Sequence, residues 1–162
     1  MSMKSKETKT NAMRILDRAK IPYQLCSYDC TEFVDGITVA DRLGQDYEMT
    51  FKTLVTQGKS SQYYVFVIPV HRELDLKKAS RIVGEKSLEM LHVKEIQNIT
   101  GYIRGGCTPI GMKKKFPTVI QESALQQTQI AISGGKRGVQ IIVAPQDLAD
   151  VTDSIFGDVI KS

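Results

Sequence analysis

Lys52 occupies a position where a lysine needs an explanation. In Thr50-Phe51-Lys52-Thr53-Leu54-Val55 a two-residue period puts it on the strand face of Leu54, with Phe51 and Val55 on the other, so both faces are partly apolar. A buried ammonium is unstable unless an anion or a ring of acceptors meets it. The residue therefore belongs either at a hydrated strand edge or in a site that supplies negative charge. Pattern alone leaves both readings open, and the usual hydration of lysines favours the edge.

Two glycine clusters are the next candidates: Gly101-Tyr102-Ile103-Arg104-Gly105-Gly106-Cys107-Thr108-Pro109-Ile110-Gly111 and Ser133-Gly134-Gly135-Lys136-Arg137-Gly138. Successive backbone N–H groups in such turns can form a concave anion site, suited to a phosphate or to the oxyanion of an ester under attack. Taken singly, each reads first as an ordinary turn, because glycine is common wherever positive φ is needed. Neither has the spacing of a Walker loop or a Rossmann fingerprint. The basic groups Lys77, Lys78 and Arg81, then Lys113 to Lys115, then Lys136 and Arg137 either track a nucleic-acid backbone or form solvated faces.

Other hydrolase signatures are missing. No HExxH pair or serine elbow occurs, and no base is paired in sequence with Cys26, Cys30 or Cys107. Cys26 and Cys30, if they lie on one strand, are about 13 Å apart at roughly 3.3 Å per residue, too far to share a zinc ion. His71 and His92 lie in unrelated segments and read as solvated or capping residues. No metal and no cofactor is expected.

The elements that must position these residues follow from local pattern. Thr10 or Asn11 caps a helix carrying Met13 and Leu16, and Pro22 lies just beyond it. Residues 23–30 alternate as a half-buried strand. Ile37 to Leu43 fits a two-turn helix closed by Gly44. Residues 49–57 and 63–70 read as a hairpin across the polar Gly58 to Gln62. Leu76, Ala79 and Val83 form the apolar stripe of a helix ending at Gly84, with Lys77, Lys78 and Arg81 opposite. Strands are predicted at Ser87 to Leu91, Pro117 to Gln121, Gln129 to Ser133 and Val139 to Val143, and a last helix over Pro145 to Phe156. Strands outnumber helices without alternating regularly with them, which predicts an α+β fold with a mixed, largely antiparallel, barrel-like sheet flanked by helices.

At 162 residues one domain is the default, spanning 10–162 after a flexible tail of residues 1–9. No run approaches the ~20 apolar residues of a membrane span, and no secretory signal is recognisable, so a cytoplasmic protein is expected. Three cysteines, an odd number, suit reduced thiols. A net charge of +4 decides nothing by itself.

Taken in order, Lys9-Thr10-Asn11-Ala12, Phe51-Lys52-Thr53-Leu54-Val55, Ile68-Pro69-Val70, Glu73-Leu74-Asp75-Leu76-Lys77-Lys78, Thr100-Gly101-Tyr102, Pro109-Ile110-Gly111 and Ser133 to Gly138 resemble the YbaK/EbsC family of aminoacyl-tRNA deacylases over residues 9–150. The resemblance implies a domain similar to the editing domain of bacterial prolyl-tRNA synthetases, acting in trans without metal on mischarged tRNA. The closest subgroup removes cysteine from proline tRNA, and alanine or serine esters are the alternatives. It implies prolyl-tRNA synthetase as a partner. By position, Lys52 resembles the family's essential lysine, Thr53 part of the same pocket, and Tyr28 the tyrosine lining the substrate site. Gly105 and Ser133 resemble the residues that hold the terminal adenosine and the ester carbonyl. Two departures bear on substrate choice: Gln140 stands where close relatives often carry Asp, and Phe33 is out of register with a loop phenylalanine. A non-catalytic module that binds charged tRNA or a synthetase is the rival reading.

Overall fold

The computed structural model describes residues 9–30 and 32–162. The tail expected over residues 1–9 lies, Lys9 apart, outside the described residues; Lys9 itself pairs with Asp17. Thr10 opens α1 (Asn11–Arg18) with an extended backbone and a hydroxyl that accepts the Met13 amide at 3.3 Å, satisfying one donor of the first turn. The same hydroxyl donates to the Gly134 carbonyl at 2.6 Å, tying the helix start to the second glycine cluster.

After β1 (Gln24–Ser27), α2 (Gly36–Leu43) is capped by Asp35, whose carboxylate accepts the Thr38 amide at 2.8 Å, and closes on Gly44 at φ 65°. The hairpin follows as β2 (Phe51–Gly58) and β3 (Tyr63–Pro69), in register Lys52 to Ile68 and Thr53 to Val67. β3 is buried on both faces. Val67 joins the main core, while Tyr64, Phe66 and Ile68 pack in a second cluster with Ala79 and Val83 of α3 (Leu76–Val83). Burial on both sides is why its sequence is a continuous apolar run rather than an alternation.

The remaining elements are β4 (Leu88–Met90), α4 (Val93–Thr100), β5 (Thr118–Gln121), β6 (Ile130–Ser133), β7 (Val139–Val143), α5 (Pro145–Thr152) and β8 (Ile155–Gly157). Two depart from expectation. The sequence reading has no counterpart of α4. The helix expected to reach Phe156 stops at Thr152, because Asp153 takes a left-handed φ of 53°, and residues 155–157 then pair in parallel with β5.

The strands form two sheets, ordered β1-β7-β6 and β4-β2-β3-β5-β8. Pairing is antiparallel except for β3–β5 and β5–β8, so the mixed α+β architecture holds. The barrel-like closure does not. Both strand orders are linear, and between the sheets the backbone link is the Thr50–Ala131 bridge, with the Ala131 amide on the Met49 carbonyl at 2.8 Å. Closure is not needed to bury the apolar faces. Phe51, Val67 and Ile120 of one sheet meet Ile130, Ile132 and Ile141 of the other, with Leu16 of α1 and Leu148 of α5 in the same cluster. This main core brings β2 against β6, and with them Lys52 into the neighbourhood of Ser133.

Candidate active site

β4 pairs only with Thr56 to Gly58 of β2, and the Leu91 amide covers the Val55 carbonyl at 3.0 Å. Toward Phe51 that edge of β2 meets β6 at the Thr50–Ala131 bridge, and between this bridge and Leu91 it is unpaired at Thr53 among the described residues. Peptide groups on a strand point alternately to its two edges. Since the Thr50 carbonyl accepts from Val70 on the β3 side, the backbone of Thr53 faces the uncovered edge. A cavity of about 500 Å³ opens there. It is lined by Phe51 to Val55, by Ile37 and Val39 of α2, by Val93 and Ile96 of α4, and by Gly105, Cys107, Ser133 and Gln140. The volume falls in the range of small-molecule sites.

Lys52 is half-buried on this wall, and among the described residues no carboxylate lies within ion-pairing distance of its ammonium. Burial lowers its pKa, opposed by the more distant charges of Glu73 and Asp35. An ammonium desolvated without a full counter-charge is poised to take a negative or strongly polarised oxygen from a ligand. The two readings left open by pattern, edge and site, meet in the geometry: Lys52 stands beside the unpaired stretch of β2 and lines the cavity that opens there.

The two glycine clusters meet across the cavity. Ser133, the last residue of β6, donates its hydroxyl to the Gly105 carbonyl at 3.0 Å. Gly105 has φ 89°, and a Cβ on Gly106 would lie 2.8 Å from the Lys136 Cα, so the backbones of the two turns are in contact. Tyr102 holds the first loop by donating to the Ile110 carbonyl at 2.6 Å, and burial pushes its pKa up to about 12. Gly138 bonds the second turn to the Tyr28 amide at 2.9 Å through its carbonyl.

All five residues singled out by the sequence, Tyr28, Lys52, Thr53, Gly105 and Ser133, line this one cavity. The Thr53 hydroxyl is buried and has no hydrogen-bond partner among the described residues. Burial raises the pKa of Tyr28, with Gly138 and Arg137 pulling it down. The basic trio of α3 is not part of the lining, and Lys78 is engaged by Asp158 at 3.0 Å and the Ile160 carbonyl at 2.8 Å.

Several lining residues carry no local signal in the sequence. Gln140 is buried and exchanges two hydrogen bonds with Gln45, at 2.6 and 3.1 Å, while the Thr50 hydroxyl donates to Gln45 at 3.0 Å. Cys107 is buried, its thiol pushed up to about 11 by desolvation. Phe33 reaches the mouth of the cavity, under the guanidinium of Arg104. A wider outer groove of about 1040 Å³, lined by Ser27 to Cys30 and Arg42, continues from the cavity through Tyr28, Phe33, Val34 and Asp35. Among the described residues no cluster of His, Cys, Asp or Glu is placed to hold a metal ion, and no helix is long and apolar enough to cross a membrane.

A cavity at the seam of two sheets, with Lys52 on one wall and residues of both glycine-rich turns in its lining, has the chemistry to receive an anion or a polarised ester. The chain belongs to the aminoacyl-tRNA editing domain family, whose model matches residues 35–151. It is 45% identical, over 98% of both chains, to an Enterococcus faecalis protein named as a Cys-tRNA(Pro)/Cys-tRNA(Cys) deacylase, EbsC. The fold is similar to that of a solved protein described as a trans-editing enzyme for prolyl tRNA synthetase, with TM-score 0.81 and 22% identity over 96% of this chain and 100% of that one. It is also similar to the hypothetical protein APE2540, with TM-score 0.84 and 19% identity over 93% and 99%.

Proposed function

We propose that this chain clears mischarged tRNA in trans by deacylating the ester at its 3′ end, with cysteine carried by proline tRNA as the substrate. The observation that carries this reading is Lys52, a half-buried ammonium without an ion-pair partner among the described residues, in a cavity walled by two glycine-rich turns. Its likeness to a relative named as a Cys-tRNA(Pro)/Cys-tRNA(Cys) deacylase supports the choice of substrate.

An aminoacyl ester is already activated, so catalysis asks for positioning, a polarised carbonyl and stabilised negative charge. On this reading Lys52 polarises the ester carbonyl. Gly105 and Ser133 hold the terminal adenosine and the ester, and Tyr28 and Thr53 line the amino-acid pocket. With a cysteinyl ester the substrate thiol attacks its own carbonyl: a C–S bond forms, the C–O bond to the ribose breaks, and the thiol proton passes to the ribose oxygen. A cyclic thioester leaves. Seryl and alanyl esters lack the thiol and require water as the attacking group. The working context is the cytoplasm beside prolyl-tRNA synthetase, with residues 10–162 acting as one domain.

The test is amino acid release from a panel of Cys-, Ser- and Ala-charged proline tRNAs by the wild-type chain and by Lys52→Ala. Fast release from the cysteinyl ester alone, abolished in the variant, is expected. Stable retention of charged tRNA without release overturns the enzyme reading in favour of a binding module.

A further inference from the structure

Phe33 and Arg104 line the mouth of the cavity, and Arg137 reaches the same ring from the second turn, a cationic stack that the ester chemistry leaves unused. The Arg104 guanidinium carbon sits 3.9 Å from the centroid of the Phe33 ring, and that of Arg137 sits 5.9 Å from it. The Arg137 Nε–H donates to the Arg104 carbonyl at 2.8 Å. The stack leans on Gly105, where a Cβ would come within 3.2 Å of the Phe33 ring and 3.3 Å of the Arg137 side chain. The sequence thus places a glycine at the point where ring and guanidinium must approach the turn.

Two guanidinium groups on one ring repel each other, and stacking on the ring face offsets this only partly. Surface arginines held this close normally share a carboxylate. Among the described residues neither has one within ion-pairing distance, although Asp29 and Glu32 line the adjoining groove. Among the described residues the Arg104 guanidinium makes no hydrogen bond or ion pair, so its N–H edge is open to a ligand while its carbon rests over the ring. That edge is suited to two oxygens of a phosphate.

We propose that Arg104 and Arg137, presented on Phe33, bind the phosphodiester that joins the last two nucleotides of the substrate. The subsite rests on the deacylase reading and deepens it. The ester enters past Gly105 to Lys52 while the first phosphate outside the cavity meets the two guanidiniums. Length is then measured from the ester to that phosphate, and an aminoacyl ester on any single-stranded 3′ end is gripped at a fixed depth.

The experiment compares mischarged tRNA with the same tRNA carrying a neutral methylphosphonate at the last linkage, for wild type, Arg104→Gln and Arg137→Gln. The wild type should lose about tenfold in kcat/KM on the neutral linkage, mainly through KM, as expected for a lost charge-assisted contact. Each variant should show that loss on natural tRNA already and be less sensitive than wild type to the neutral linkage, with a log–log salt slope lower by about 0.7. Equal wild-type turnover of both substrates, or a full additional loss in the variants, overturns the subsite and leaves the deacylase reading intact. Wild-type inactivity on both substrates overturns the deacylase reading and the subsite with it.

Discussion

The hydroxyl of Ser133 and the carbonyl of Gly105, 28 residues apart in sequence, are joined by a 3.0 Å hydrogen bond that spans the two glycine-rich turns. One turn carries Arg104 and the other Arg137, so this contact ties together the two turns whose arginines meet at Phe33. Ser133→Ala should lower kcat/KM roughly five- to tenfold, the value of about one ordinary hydrogen bond. Ser133→Thr, which keeps the hydroxyl, should lose less. Steady-state deacylation of both variants checks this.

Lys52→Met is expected to abolish turnover while leaving the melting temperature at pH 7 equal to the wild type or higher. The folded-state pKa of Lys52 lies below its ordinary value, so between the two values the unfolded chain holds more protons than the folded one. Stability from this group therefore rises with pH toward the ordinary lysine range. The variant should lack that rise. Melting curves at several pH values test it, and a Lys52→Met protein clearly less stable than wild type would show that the ammonium is a structural group.

Alkaline conditions should act in the opposite direction. Cys107 is held protonated up to about 11, and Tyr23 and Tyr102 up to about 12, in each case chiefly by burial. Between their ordinary values, about 9 and 10, and these raised ones, the unfolded chain releases protons that the folded chain keeps. Stability falls through that window. Denaturant midpoints should drop above about pH 9, and thiol titration of the native protein at pH 8 should modify the half-buried Cys26 and Cys30 before Cys107.

The paired amides of Gln45 and Gln140 set a fourth test. Gln140→Ala leaves Gln45 without either of its bonds to that side chain, at a cost of about 1–3 kcal/mol. Chemical denaturation measures the loss. A change below about 0.5 kcal/mol would mean that water replaces the lost partner at no penalty.

Features written in short segments were legible in advance. Thr10, Gly44 and Gly84 bound their helices because caps and left-handed stops are local chemistry. The β2–β3 hairpin declares itself through its β-branched run, and Lys52 stands out because both faces of its strand are apolar. By contrast, α4 has no side-chain cap bond at His92 and buries only Thr100 fully, so its stripe is too weak to read. β8 is three residues long and becomes a strand only because the edge of β5 is there to receive it. The linear strand orders, which replace the expected closed barrel, depend on which edges meet, and no short window records that. In the site, the Gln45 to Gln140 pair and the placing of Phe33 beneath Arg104 are long-range encounters. The resemblance supplied Tyr28, Thr53, Gly105 and Ser133, which pattern alone would not have selected.

The glycine-built flank of the cavity restricts how its preference can be retuned. Side chains added at Gly106, Gly134 or Gly135 would run into Lys136, Val139 or Thr10 at 2.9 Å or less, so the turns that present Gly105 and Ser133 to the cavity are packed too closely to be rebuilt. The facing flank is made of replaceable apolar side chains, Ile37 on α2 and Val93 and Ile96 on α4. On the proposed reading, adaptation to a bulkier or smaller amino acid runs through those helices, and the turns assigned to the ribose stay the same whatever amino acid is selected.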